Sequence, residues 1–223
     1  MSLTGSRTKA LVVEAVVVVL LAALVARVGA TYGATFIAAM FLGLCQWHSW
    51  RFDDARVLAD GLALGGLVAR VPQPREAFGR SVAWLLGAVV LTFPPFVLAW
   101  WLQLAPADSF DWARAVDGLQ PLAEIVLVAL PEEAFFRGYL QSRLLEATSQ
   151  RVGFLTHANL LASTFFALGH FGTAVSLARA STFFPSLLFG LLRERTGGIV
   201  VPVLFHALCN VLSHMLFRGF GVS

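Results

Sequence analysis

The sequence predicts an all-α fold, a polytopic bundle of transmembrane helices with seven or eight membrane segments. Composition is the first reason. Of 223 residues, 58% are hydrophobic and only 13% charged, too apolar for a soluble domain and expected of a chain that crosses a bilayer repeatedly. Spacing is the second. Apolar runs close to the ~20 residues needed to cross recur along the chain, separated by short polar stretches. Charge placement is the third. The net charge is only +3, and the arginines cluster between apolar runs, which is a topology signal and not a nucleic-acid footprint. A lipid bilayer is therefore the expected environment, and no nucleic-acid partner is expected. Cys45 and Cys209 both fall in apolar runs and read as packing residues.

The first apolar run covers residues 10–28. A loose cleavage-site pattern at Val28-Gly29-Ala30 allows a signal peptide, but the length of the run and the spans that follow favour an uncleaved first span. Glu14 inside it reads as a near-interface residue that snorkels. A second span is expected over 32–48. Residues 49–80 carry five arginines, and their apolar piece 57–71 is short of a crossing; it reads as interfacial or partly inserted, with Pro72 and Pro74 ending it. A third span, 81–104, contains Pro94-Pro95, expected to kink it, and Trp100-Trp101 as an interface belt. A polar loop at 105–118 leads to a central helix over 119–146, whose second half, from Arg137, is expected to leave the hydrocarbon. Further spans are expected over 154–171, 174–192 and 198–217. If 57–71 does not cross, every basic cluster falls on one side, giving seven crossings and a cytoplasmic N-terminus; if it does cross, there are eight. Residues 1–118 thus read as N-terminal spans and loops, and 119–223 as a four-helix core within one membrane domain.

The core is built around Pro131-Glu132-Glu133-Ala134-Phe135-Phe136-Arg137. A charged residue at the centre of a membrane helix costs roughly 2.5–3.5 kcal/mol on insertion scales, so three within six residues need a reason. Glu133 and Arg137 are four apart and can pair; Glu132 is turned about 100° from Glu133 and is free to face something else. His170 stands near the end of a later apolar helix, and His206 and Asn210 share one face of the last. Polar groups in spans usually face one another inside the bundle. Glu132 with His170 could hold and activate a water, and His206 with Asn210 could donate to the oxygen of a tetrahedral intermediate. No serine or cysteine is placed as a convincing nucleophile. Alternatives remain: a structural ion-pair network, interhelical hydrogen bonding by His206 and Asn210, or zinc held by carboxylates and histidines. No His-Glu-x-x-His motif is present, and the asparagine suits an oxyanion site better than zinc, so no cofactor is expected. His157 and His214 read as structural. Arg179 reads either as snorkelling or as a contact for a substrate carboxylate or lipid phosphate.

Glu132-Glu133-x-x-x-Arg137, Phe166-x-x-x-His170 and His206-x-x-x-Asn210, in that order, resemble the three motifs of the CAAX prenyl protease and bacteriocin-processing (CPBP, or ABI) family of glutamate-type intramembrane endopeptidases. The resemblance covers about 119–217. It implies that Glu132 and His170 activate water, that His206 and Asn210 stabilise the oxyanion, and that Glu133, Arg137 and Phe166 support the site. The wording around Pro131–Gln141 is similar to the bacterial myxosortase branch, which implies C-terminal sorting tags of surface proteins as substrates and a bacterial inner membrane as the location. The substrate would be a membrane-anchored protein. A non-catalytic scaffold or immunity protein and a proton-coupled transporter are the rivals from other classes. Straight helices of the expected boundaries would leave Glu132 and His170 over ~10 Å apart in depth, a tension within this reading.

Overall fold

The structure, a computed structural model, describes residues 3–28, 33–51, 74–104, 110–173 and 177–221. It is an all-α helical bundle, as the sequence predicts. Three long helices come first: α1 (Leu3–Val28), α2 (Gly33–Arg51) and α3 (Pro74–Leu104). The 57–71 segment, and with it the choice between seven and eight crossings, lies outside the described residues. A short helix α4 (Trp112–Val116) follows, inside what the sequence suggests is loop. The Asp111 carboxylate caps it by accepting from the Arg114 backbone N–H at 3.1 Å.

The central helix α5 is a continuous run of five segments, Pro121–Ala123, Glu124–Ala129, Leu130–Glu133, Ala134–Gln141 and Ser142–Ala147, of which the second and fourth are π-helical. Pro131 supplies a reason for the first π segment. It has no N–H to give to the carbonyl four residues back, and just before it Leu130 already donates five residues back, to Ile125. A two-strand hairpin, β1 (Arg151–Val152) and β2 (Leu155–Thr156), turns the chain antiparallel. Then come α6 (His157–Thr173), α7 (Leu177–Ala180), α8 (Phe183–Thr196) and α9 (Val200–Gly219).

The segment Ala134–Gln141, part of the stretch expected to leave the hydrocarbon, is buried inside the protein along its whole length, because α5 is enclosed by α2, α6 and α8 there. The depth tension is removed by the hairpin that joins α5 to α6. Counted from the hairpin, Glu132 lies about 22 Å along α5 and His170 about 20 Å along α6. The span expected over 174–192 is divided at Ser181-Thr182 into α7 and α8. Thr182 turns back to donate its hydroxyl to the Arg179 carbonyl at 2.7 Å, and Pro185 fits the first turn of the new helix. That helix runs through Arg193-Glu194-Arg195 and stops at Gly197, whose φ of +74° ends it.

Helix α5 touches α1, α2, α6, α8 and α9, while α3 packs outside on α8 and α9. One apolar core joins Ala15 and Val19 of α1, Phe41 of α2, Phe135 of α5 and Phe166 of α6. The outward faces are apolar as well: Leu20 is 63% exposed, Val90 70% and Leu91 75%, as expected where lipid is the solvent. Lys9–Arg27, Phe78–Leu102 and Val200–Gly219 are long and apolar enough to cross a membrane, and Thr35–His48 is a shorter apolar helix. The protein is thus an integral membrane protein.

Glu14 does not snorkel. It faces inward, 2.7 Å from His48 Nε2, and accepts from the Tyr139 hydroxyl at 3.0 Å, which ties α1 and α2 to α5. At the hairpin end, Glu194 accepts from Gln141 at 2.9 Å and Thr156 at 2.6 Å. Asn159 donates to the Leu187 carbonyl at 3.0 Å and accepts from Ser163, so it is held from both sides against α8. A Cβ on Gly190 would come within 2.0 Å of Asn159 Oδ1. Gly190→Ala is therefore expected to cost about 1–3 kcal/mol, the range for overpacking, whereas Gly87→Ala, with nothing within 4 Å, should be neutral or slightly stabilising. Thermal unfolding in detergent checks both.

Candidate active site

The site forms where one turn of α5 faces α6, α8 and α9. Glu133 and Arg137 are fully buried, with Glu133 Oε2 3.2 Å from Arg137 Nε. Arg137 continues to α8, donating to the Ser186 carbonyl at 3.0 Å and to its hydroxyl. Its guanidinium lies 4.6 Å from the Phe166 ring centroid and 5.3 Å from that of Phe189, contacts that favour a cation. Phe166 in turn stacks on the His170 ring at 4.4 Å. Phe189 stacks on His206 at 4.8 Å. The aromatic residues thus set the planes of both imidazoles.

Hydrogen bonds set the tautomers. His170 Nδ1 is 3.0 Å from the Phe166 carbonyl, one turn back. A carbonyl only accepts, so Nδ1 carries the proton and Nε2 faces the other way. His206 Nδ1 is 2.9 Å from Glu133 Oε1, a carboxylate–histidine pair of the kind that fixes ring orientation. Both Nε2 atoms then converge on Glu132 Oε2, at 4.0 Å from His170 and 3.8 Å from His206. That oxygen is buried and has no direct hydrogen bond from the protein.

Asn210, one turn beyond His206, donates to Glu124 Oε2 at 3.1 Å. All five side chains, Glu124, Glu132, His170, His206 and Asn210, line one cavity of about 940 Å³. Its remaining wall is largely apolar, with Val19, Phe41 and Trp100 contributed by α1, α2 and α3, and Arg179 and Thr182 at the α7–α8 break. The structure therefore gathers Glu132, His170 and His206 within 4.0 Å of shared atoms and puts Asn210 in the same cavity. Glu133 and Arg137 lie behind them, and Phe166 forms part of the cavity wall beside His170. His214 stands apart, 2.9 Å from the Asp117 carbonyl, and His157 closes the hairpin through its backbone N–H to Gln150. Among the described residues no three His, Cys, Asp or Glu side chains are grouped as metal ligands.

Sequence reasoning missed Glu124, Ser186 and Phe189. Glu124 had a signal, a lone carboxylate in an apolar stretch eight residues before Glu132. Ser186 and Phe189 had none, because a serine and a phenylalanine in an apolar run are ordinary.

Removing one partner of a buried ion pair leaves the other charge uncompensated. Arg137→Ala is expected to lower stability by about 3–5 kcal/mol. The double change Glu133→Gln with Arg137→Met should recover part of that loss. Denaturant unfolding in detergent measures both, and a single variant as stable as the parent would contradict the burial of the pair.

Three comparisons with known proteins bear on this geometry. The family model described as type II CAAX prenyl endopeptidase Rce1-like matches residues 117–212. An Escherichia coli protein described as an uncharacterized 24.3 kDa protein is 26% identical over 145 residues, which is 62% of this chain. The matched part spans 65% of that relative's length. No solved structure matches. The family match begins at the turn before α5, ends within α9 and contains Glu132, His170, His206 and Asn210. Residues 117–212, the part that carries the site, are thus similar to the Rce1-like type II CAAX prenyl endopeptidases.

Proposed function

We propose that the protein is an intramembrane endopeptidase that cuts a membrane-tethered or lipidated protein, using a water activated by Glu132. The observation that carries this reading is the placing of Glu132 Oε2, buried in the cavity and about equally far from two imidazole nitrogens. Separations of 3.8 and 4.0 Å are too long for direct hydrogen bonds and suit groups bridged by a single water. Three hydrogen-bond acceptors facing one point call for a molecule with two protons to give, and water is one.

The chemistry follows from the partners. Water gives a proton to Glu132 while its oxygen attacks the substrate carbonyl carbon; His170, held by the Phe166 carbonyl, orients that water. The carbonyl oxygen gains the electron pair. Asn210 has a second amide N–H beyond the one given to Glu124 and can donate it to this oxyanion. His206 Nε2, its ring held by Glu133 through Nδ1, faces the same space and can donate to the oxyanion when it carries a proton. Glu132 then passes its proton to the departing amine as the C–N bond breaks. No metal enters this scheme.

A tethered substrate fits the surroundings, because the cavity wall is shared by helices whose outer faces are apolar. By the resemblance at Pro131–Gln141, C-terminal sorting tags are the finer proposal, with the protein in a bacterial inner membrane; the grouping of basic residues supports a cytoplasmic N-terminus. Glu132→Gln keeps size and polarity but removes the base. With a tagged membrane-tethered reporter co-expressed, Glu132→Gln and His170→Ala are expected to reduce cleavage by about 10²–10⁴-fold at unchanged membrane abundance, read as a size shift on a gel. Cleavage that survives Glu132→Gln would sink the assignment.

A further inference from the structure

Hydrolysis consumes one water per bond cut, and the cavity around Glu132 is walled mainly by apolar side chains. A second cleft of about 280 Å³ lies at the start of α5, lined in part by Gly118, Gln120, Glu124 and His214. Glu124 and Val128 line both spaces. The partition between them is therefore the π-helical segment Glu124–Ala129.

That segment also decides where Glu124 points. On an uninterrupted α-helix a residue eight positions before Glu132 is turned about 80° from it, and taking up one extra residue in a π turn reduces the offset to about 20°. Glu124 thus shares the cavity face with Glu132, about 12 Å nearer the start of the helix. Asn210 holds it there from α9 at 3.1 Å. A carboxylate in an apolar helix is costly, and one amide hydrogen bond satisfies only part of its acceptor capacity. A hydrated boundary between two spaces accounts for the remainder.

We propose that Glu124, held by Asn210, is a polar gate through which water passes from the outer cleft to Glu132. This rests on the hydrolytic reading above, and the test separates the two. In a C45A/C209A background, Ser213→Cys introduces a thiol on the inner cavity, which Ser213 lines without lining the outer cleft. Its labelling by a small water-soluble methanethiosulfonate, in protein held in nanodiscs, reports water access without reference to activity. Glu124→Leu is expected to slow labelling about tenfold, and to lower kcat by a similar factor with KM little changed. Glu124→Gln, still polar and of the same size, should keep both rates within about threefold. Glu132→Gln should leave labelling unchanged while abolishing cleavage. Labelling of Ser213→Cys that is as fast with Leu as with Glu at 124 would overturn the gate, as would a folded Glu124→Gln protein that has lost both labelling and turnover. If no form cleaves but the labelling pattern holds, the hydrolytic reading fails and the gate stands.

Discussion

The pairing of Glu133 with Arg137 inside an apolar bundle is the constraint on which the rest depends. A carboxyl and a guanidinium at zero exposure are tolerated only when each compensates the other and neighbouring groups share the task. Each requirement recruits a neighbour. Arg137 needs acceptors and a polarisable surface, which fixes Ser186 on α8 and the rings of Phe166 and Phe189. Glu133 needs a second donor, which fixes His206 on α9. One turn of α5 therefore sets the separation of three other helices. It also sets the plane and tautomer of an imidazole that faces the cavity.

Glu132, next in sequence and turned away, is the beneficiary. The pair behind it supplies rigidity, so its own oxygen can sit buried beside two histidines without a direct hydrogen bond. Such placement is unfavourable in isolation and is what the proposed activation of water uses. The surrounding fold serves the same end. The tight hairpin at Gly153 sets α5 and α6 antiparallel, with Glu132 and His170 at matching heights. The break at Ser181-Thr182 puts Arg179 and Thr182 on the cavity wall, where an unbroken helix would have continued as a plain span.

Much of this was legible in the chain. Apolar run lengths located α2, α9 and the C-terminal ends of α1 and α3 closely, because burial in lipid leaves a composition signal; α1 and α3 begin earlier, in polar turns at Leu3 and Pro74. Helical spacing alone paired Glu133 with Arg137 and turned Glu132 the other way. What escaped notice was set by contacts between distant segments. Glu14 looked like an interface residue because its partners, His48 and Tyr139, are far away in sequence. Gln141, Glu194 and Thr156 come from three separate segments and form a clasp at the hairpin end. The π turns of α5 were not readable from periodicity, since one extra residue per turn rotates a face without changing composition. The same blindness hid Glu124, although a carboxylate so close to the motif was a visible cue.

The central claim is that the chain uses water directly and forms no covalent bond to its substrate. It is tested most directly by single-turnover mass spectrometry of the purified protein in nanodiscs, with a membrane-tethered peptide in H₂¹⁸O. The account predicts that the new C-terminal carboxylate carries one ¹⁸O and that the mass of the protein stays constant from mixing to product. A transient gain in the protein's mass equal to the acyl fragment would contradict it, because that would mean a side chain, and not water held by Glu132, attacks first.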